Sequence, residues 1–357
     1  MENSAEKMTR VDYRKLRRFV GSSFEKLGVP KEDAEIAANV LVQADLRGVD
    51  THGVIRFSPN AWYVKWLTEG SLTARPKLRV VSESATTALI DGDRGMGMVI
   101  GHRAMEMAIE KAKSAGVAMV GVRNSRHYGM SAYYGMLALP HDMIGIAMTN
   151  ASRQVVPTFG REARFGTNPM CFAVPADKEL PFVLDMATTT AAAGKLELAA
   201  RLGKSIPGGW ALDENAAQTT DPRMAQKARR LLPLGGTRES GSHKGYGLAI
   251  LVEILCGVLT GTLTALNANQ DPRGHFFGAI RVDAFRPVAE FKRDMDRLII
   301  DLRSTPPAEG QERVYVAGEI EFETAQERAE HGIPLHGSVL KGLRQVAEQV
   351  GVPYELE

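Results

Sequence analysis

IDGDRGMGMVIGHRAM, residues 90 to 105, decides whether this 357-residue chain carries a doubly wound dinucleotide-binding unit. Gly95, Gly97 and Gly101 stand between a strand-like run and a helix-like one. That is close to the fingerprint in which glycines let a pyrophosphate settle on a helix N-terminus. The spacing, however, is G-x-G-x-x-x-G, one residue off the pattern. The next apolar run, GVAMVGVRNS, ends on Arg123 and Asn124, where an acidic ribose ligand would be required. A standard unit of this kind is therefore not expected, and the glycines read as a turn that allows close packing.

Outward from that stretch, the hydrophobic period changes twice. Residues 10 to 48 give two amphipathic helices, VDYRKLRRFVGSSFEKLG and PKEDAEIAANVLVQADLRG, the second opening on a proline and an acidic first turn. Short strand-like runs begin at LRVVSESATTALIDGD, which places a boundary near residues 70 to 78 with SLTARPK as the link. HRAMEMAIEKAKSAG reads as a helix, and VAMVGVRNS, MIGIAMTNAS, MCFAVPA and FVLDMATTT as strands. HKGYGLAILVEILCGVLTG reads as a buried helix, AIRVDAF as a strand, EFKRDMDRLIIDLRS as a helix, and residues 331 to 351 as helix again. The outline is helices, a mixed sheet with helices, then helices.

Composition narrows the function. With 44% apolar and 24% charged residues the chain can bury a sizeable core. Its 44 basic and 42 acidic side chains nearly cancel, and no basic run interleaves with aromatics, so a nucleic-acid partner is not expected. Cys171 and Cys256 are far apart and cannot build a disulfide framework or a thiolate zinc site. The first residues are charged and lack the apolar core of a signal peptide, and no window approaches a membrane span, so a cytoplasmic protein without a membrane partner is expected.

Three segments put polar groups where a core would not want them. His52 lies in RGVDTHGVIRF, flanked by glycines and by arginines on both sides, and His127 lies in RNSRHYGM at the end of an apolar strand. Asp185 sits inside FVLDMATT directly after three apolar residues. A buried carboxylate needs a partner, and a histidine held by one can give and take a proton near neutral pH. Arg56, four residues beyond His52, would suit a substrate carboxylate if His52 lines a pocket. Each has a plainer reading: structural histidines, a carboxylate satisfying backbone groups, a surface arginine. A metal held by His52, His127 and Asp185 is weighed and set aside, because none belongs to a tight ligand motif.

With these segments in place, the chain resembles the malate/L-lactate dehydrogenase family that is unrelated to the Rossmann-type lactate and malate enzymes. That family also holds ureidoglycolate and sulfolactate dehydrogenases, diketogulonate reductase and the piperideine-2-carboxylate and pyrroline-2-carboxylate reductases. The resemblance runs from about residue 10 to 350, through ADLRGVDTHGVIR, VRNSRHYG, MTNAS, FGTNPMCFAVP, VLDMATT, GGWALDENAAQTTDP, LLPLGG, HKGYGLA, GHFFGAI and GEIE. It implies an α/β (α+β) fold: a non-Rossmann nicotinamide-binding domain with a mixed, largely antiparallel sheet over 76–299, and a mainly helical domain from 1–75 joined by 300–357. It implies an NAD- or NADP-dependent oxidoreductase moving a hydride to or from C2 of a small carboxylate, a 2-hydroxy or 2-oxo acid such as malate or lactate. A cyclic imino acid reductase and a ureidoglycolate dehydrogenase are the alternatives.

By the same resemblance His52 is the proton donor and acceptor, oriented by Asp185 and preceded by the hydroxyl of Thr51. His127 is a second candidate for the acid/base role, and Arg56 binds the carboxylate. Implied cofactor contacts are Tyr128, Gly129, Asn150, Ser152, Thr167, Asn168, Met186, Ala187, Thr188, Thr189, Lys244, Gly274, His275 and Phe276. Arg201 and Lys204 suit a ribose phosphate and a solvated helix face equally. No metal is implied, and a homodimer is. The chain departs from the family pattern at GGTRESGSHKGYG, which carries inserted residues, and at Ala317, where proline is common.

Overall fold

A computed structural model describes residues 8–262 and 272–357, the side chain of Arg201 excepted, so the phosphate reading of Arg201 lies outside the described residues. The chain opens with β1 (Met8–Val11), α1 (Tyr13–Lys26) and α2 (Lys31–Leu46). Asp12 caps α1 by accepting the Arg14 and Lys15 N–H groups at 2.8 and 2.9 Å. Leu16, Phe19, Val20 and Phe24, at helical spacing, turn its apolar stripe inward. Glu32 and Asp33 occupy the first turn of α2, where the helix dipole favours them. Then come α3 (Trp62–Thr68), β2 (Arg79–Glu83), β3 (Thr87–Asp91), α4 (Gly97–Ala115) and β4 (Val117–Ser125).

The β3–α4–β4 unit is the only parallel crossover among the described strands. It contains the glycines of residues 90 to 105, and they are spent on packing. A Cβ on Gly97 would fall 2.0 Å from the Arg126 carbonyl, and one on Gly101 2.9 Å from the Tyr134 ring. Protein fills the space that a pyrophosphate would need.

After β4 follow α5 (Ser131–Met136), β5 (Met143–Thr149), β6 (Met170–Val174), β7 (Phe182–Met186), α6 (Ala193–Arg201), β8 (Ala211–Leu212), α7 (Pro222–Ala228), β9 (Arg230–Leu231), α8 (Ser242–Glu253), β10 (Arg273–Arg281), α9 (Val288–Arg303), α10 (Glu319–His331), β11 (Ile333–His336) and α11 (Gly337–Val350). The main sheet runs β2-β3-β4-β10-β5-β6-β7, antiparallel except at β3–β4. The sheet is thus mixed and largely antiparallel, as the resemblance implies. One of its faces shares a core with α1, α2, α4, α5 and α11. On the other, Ile146, Met148 and Met170 pack against Val252 and Cys256. A separate small core of Val155, Phe165, Leu196, Ile206 and Leu231 holds the segment around α6 and α7 together.

Three details of the sequence reading are corrected. The strand expected at AIRVDAF is β10, which starts six residues earlier and turns at Val282–Ala284. Residues 333–336 are not helical but form β11, paired with β1, so that the two ends of the chain share a small sheet. The helix expected to be buried at 243–261 is α8 followed by a wider π turn at Ile254–Val258, and it buries one face only. Ile250, Leu251 and Ile254 are exposed.

Candidate active site

The polar segments singled out in the sequence gather at one end of the sheet, where β4, β5 and β7 finish and β10 begins. His52 closes a short 3-10 turn just beyond α2, and a second such turn, Val54–Arg56, follows it. The buried carboxylate of Asp45 sits beneath both and accepts the Val54 N–H at 2.8 Å. Gly53 makes this possible, since a Cβ there would lie 1.8 Å from Asp45 Oδ1. Thr51 Oγ1 stands 3.0 Å from His52 Nδ1, and the Thr51 methyl packs against Gly194 at the start of α6. Arg56 Nε donates to the Thr51 carbonyl at 2.7 Å, and the guanidinium lies over the Trp62 ring, 4.4 Å from its centre. Its two terminal nitrogens make no hydrogen bond or ion pair among the described residues.

His127 follows β4 and stacks on His52, the ring centres 5.5 Å apart and the planes 19° from parallel. Trp62 meets the His127 ring edge-on at 4.5 Å. The Tyr63 hydroxyl lies 2.7 Å from His127 Nδ1, and the Gly129 N–H donates to the same nitrogen at 3.2 Å. Burial, and after it the charge of Arg56, pushes His52 down to about 4. Burial also holds His127 well below the usual histidine range, with the charges of His52, Arg273, Arg56 and His275 acting the same way. Both rings are therefore neutral at pH 7. Both remain partly open to solvent, so they line a crevice rather than a sealed core.

Asp185, next to last in β7, is at this end too but is bonded to another group. Its Oδ2 accepts the Ala132 N–H at 2.6 Å, at the first turn of α5, and the charges that act on it are those of Arg47 and Glu321. Crowding by the surrounding protein is the main cause that raises it, to about 6, yet the residue itself is exposed and is not the buried carboxylate expected from the sequence. No hydrogen bond joins it to His52 among the described residues, so the expected direct pair is corrected. The reason is local: the first turn of α5 presents a free backbone N–H to β7, and the carboxylate takes it. His52, His127 and Asp185 accordingly do not converge as a ligand set.

The implied cofactor contacts divide by burial. Asn150, Asn168 and His275 are at most 1% exposed, and their polar atoms are already used. Asn150 links Gly274 N–H to Glu253 and the Thr262 carbonyl. Asn168 links Ala151 N–H to the Ala249 carbonyl and Glu253. His275 sits between Thr149 and Ser125, and burial pushes it down to about 3. The side chains of these three hold the surrounding loops together. Tyr128, Thr188 and Thr189 are buried with internal hydroxyl bonds, to Ser131, Thr167 and Ala191, and Gly129 and Gly274 are buried too. Ser152, Thr167, Met186, Ala187, Lys244 and Phe276 do reach solvent.

Sequence reasoning gave no role to Asp45, Arg47, Trp62 or Tyr63. Arg47 is 4% exposed, lies over the Phe322 ring at 4.2 Å, and leaves its Nε without a partner. Its signal was visible in RGVDTHGVIRF as an arginine with no acidic neighbour on its helical face. Trp62 and Tyr63, in WYVKW, look like ordinary apolar anchors of a short helix.

Comparison with known proteins agrees along nearly the whole chain. The family profile described as malate/L-lactate dehydrogenase matches residues 11–344. A malate dehydrogenase of Pyrococcus horikoshii is 44% identical over 353 residues, covering 97% of each chain. An L-sulfolactate dehydrogenase of Methanocaldococcus jannaschii is 40% identical, covering 93% of this chain and 94% of the other. The crystal structure of malate dehydrogenase from Entamoeba histolytica superposes with a TM-score of 0.93 at 36% identity, over 98% of this chain and 100% of that one. Among the described residues no helix is long and apolar enough to cross a membrane.

Proposed function

The chain belongs to the malate/L-lactate dehydrogenase family and is an oxidoreductase, and from that premise we infer that it oxidises a 2-hydroxy acid such as malate or lactate, and reduces the matching 2-oxo acid, with NAD or NADP. The observation that carries this reading is the crevice itself, where a neutral imidazole stands beside a guanidinium with unused donors.

The donor set at this end of the sheet fits a nicotinamide dinucleotide. Lys244, exposed on the first turn of α8 and without an ion pair among the described residues, suits a phosphate. Ser152 and Thr167 offer hydroxyls, and Met186, Ala187 and Phe276 offer apolar surface for a ring. When bound, the nicotinamide exchanges a hydride with C2 of the substrate. The protein supplies the rest. Arg56 grips the substrate carboxylate through its terminal nitrogens while Trp62 and the Thr51 carbonyl fix its plane. In the tautomer that donates Nδ1–H to Thr51 Oγ1, His52 keeps a lone pair on Nε2 to take the hydroxyl proton during oxidation and to return it during reduction.

Two further parts of the reading have supports of their own. The row Ile250, Leu251 and Ile254 suits burial against a second copy, so we read a homodimer. Cys171 and Cys256 are both free and buried, which suits the cytoplasm.

The test is absorbance of reduced nicotinamide with a panel of 2-hydroxy acids, 2-oxo acids and cyclic imino acids, each with both cofactors. Turnover is expected with the hydroxy and oxo acids, and His52→Gln should lower it by roughly a hundredfold, as for a lost general acid or base. Turnover confined to the cyclic imines would overturn the substrate assignment. A His52→Gln enzyme of undiminished rate would overturn the proton assignment.

A further inference from the structure

Tyr63 is fully buried, and its hydroxyl has one hydrogen-bond partner among the described residues, Nδ1 of His127 at 2.7 Å. That nitrogen also receives the Gly129 N–H at 3.2 Å. A backbone N–H can only donate, so Nδ1 carries no proton, and the phenol has nowhere else to send its own hydrogen. Both donors thus converge on one lone pair. The neutral ring must hold its proton on Nε2, the nitrogen left unused.

We propose that Tyr63 is a positioning residue that, together with the Gly129 amide, locks His127 in the neutral Nε2–H form, so that His127 is a fixed hydrogen-bond donor and His52 alone carries the travelling proton. The proposal deepens the function read above and rests on it for the role of His52. Protonating His127 would place a hydrogen on Nδ1, which leaves the Gly129 N–H without an acceptor and forces the phenol to turn from donor to acceptor with its own hydrogen unpaired. The charged and titratable groups around the ring, His52 and Arg56 from the turns after α2 and Arg273 and His275 from β10, all oppose a positive charge there as well. His52 has no such lock, for its Nδ1 faces a threonine hydroxyl that can donate or accept. Two stacked imidazoles therefore have different duties: one donates a hydrogen bond to the reacting oxygen without changing state, and the other exchanges a proton with it.

The experiment is nitrogen NMR on the full-length protein labelled in its histidine rings, with His127 assigned by its disappearance in His127→Gln. Wild-type His127 should show an unprotonated Nδ1 and a protonated Nε2 from pH 5 to 8, with no titration. In Tyr63→Phe, which keeps the ring and loses only the hydroxyl, His127 should begin to titrate within that range. Its kcat should fall about fivefold, the worth of one hydrogen bond, with KM nearly unchanged and a new ionisation in the pH profile. A merely structural tyrosine would lower Tm and leave the profile alone. A wild-type His127 that titrates near 6.5 or carries its proton on Nδ1 overturns the proposal, and so does a Tyr63→Phe protein with unaltered resonances and profile. If Tyr63→Phe fails to fold, the wild-type spectrum still decides. It does so even if no substrate of the panel turns over, which keeps this test apart from that of the function.

Discussion

His52 sets the pH behaviour. Its folded proton affinity lies at about 4, below the 6.5 of an unfolded chain, through burial and then Arg56. Between those values the unfolded chain binds a proton that the folded one refuses. The ring's contribution to stability is therefore complete above 6.5 and is lost as pH falls toward 4. His52→Gln removes this dependence, so its Tm should fall less than the wild type's between pH 7 and pH 4.5, read by calorimetry at matched ionic strength. Equal losses would mean that the ring is not held neutral. The kinetics differ between the two directions. Oxidation needs neutral His52 and its kcat/KM should stay flat from pH 8 to 5 as far as this group is concerned, whereas reduction needs the protonated ring and should climb about tenfold per unit over the same range. At this scale the sequence was readable where chemistry is local. His52, Thr51 and Arg56 lie within six residues, and glycines beside a histidine signalled a turn built to present it. The expected His52–Asp185 pair failed because the fate of a strand carboxylate depends on which N–H faces it, and the Ala132 N–H belongs to a helix more than fifty residues away.

The turn after α2 is the element on which the crevice depends. Asp45, one residue before the helix ends, reaches under the next loop to Val54 N–H, and Arg328 of α10 binds both the Asp45 carbonyl and the Asp50 carboxylate. Gly53→Ala would drive a methyl into Asp45, forcing either the carboxylate or the turn to move. The expected cost is about 1–3 kcal/mol, as for other overpacked sites, with Tm falling and kcat falling further than the stability loss explains, because His52 is carried on the displaced turn. A Gly53→Ala enzyme with wild-type Tm and kcat would show that the turn has slack. Long periodic elements such as α1, α2 and α4 were legible because burial follows a 3.6-residue stripe. The short ones were not: α5 is six residues, β1 and β11 four each, and their pairing joins residues more than 320 positions apart. No local pattern encodes that. β10 was found only in part for the same reason, since its burial on both sides comes from β4 and β5, strands from much earlier in the chain.

For the whole molecule, the apolar row running from α8 into the π turn after it is the feature a single chain leaves unexplained. Leu251 is 44% exposed and Ile254 47%, and with Ile250 they lie one helical turn apart on the face turned away from the sheet, where a lone soluble chain would place polar groups. The sequence disguised this, because HKGYGLAILVEILCGVLTG is apolar all round and reads as fully buried when only the sheet is considered. The two faces of this segment differ in burial: Val252 and Cys256 pack in the core, and Leu251 and Ile254 are exposed. Burying that surface against its symmetry mate would also hold α8 rigid, and α8 carries Lys244, the cation read here as a phosphate contact. Assembly and cofactor binding should therefore fail together. Ile254→Glu is expected to shift the protein from a dimer's mass to a single chain's in light scattering, to leave the far-ultraviolet circular dichroism unchanged, and to weaken cofactor binding about tenfold or more by fluorescence titration. A protein that stays dimeric with a charge at this position would show that the row faces something other than a second copy. Dissociation with full cofactor affinity would uncouple the helix's outer face from the site at its N-terminal end.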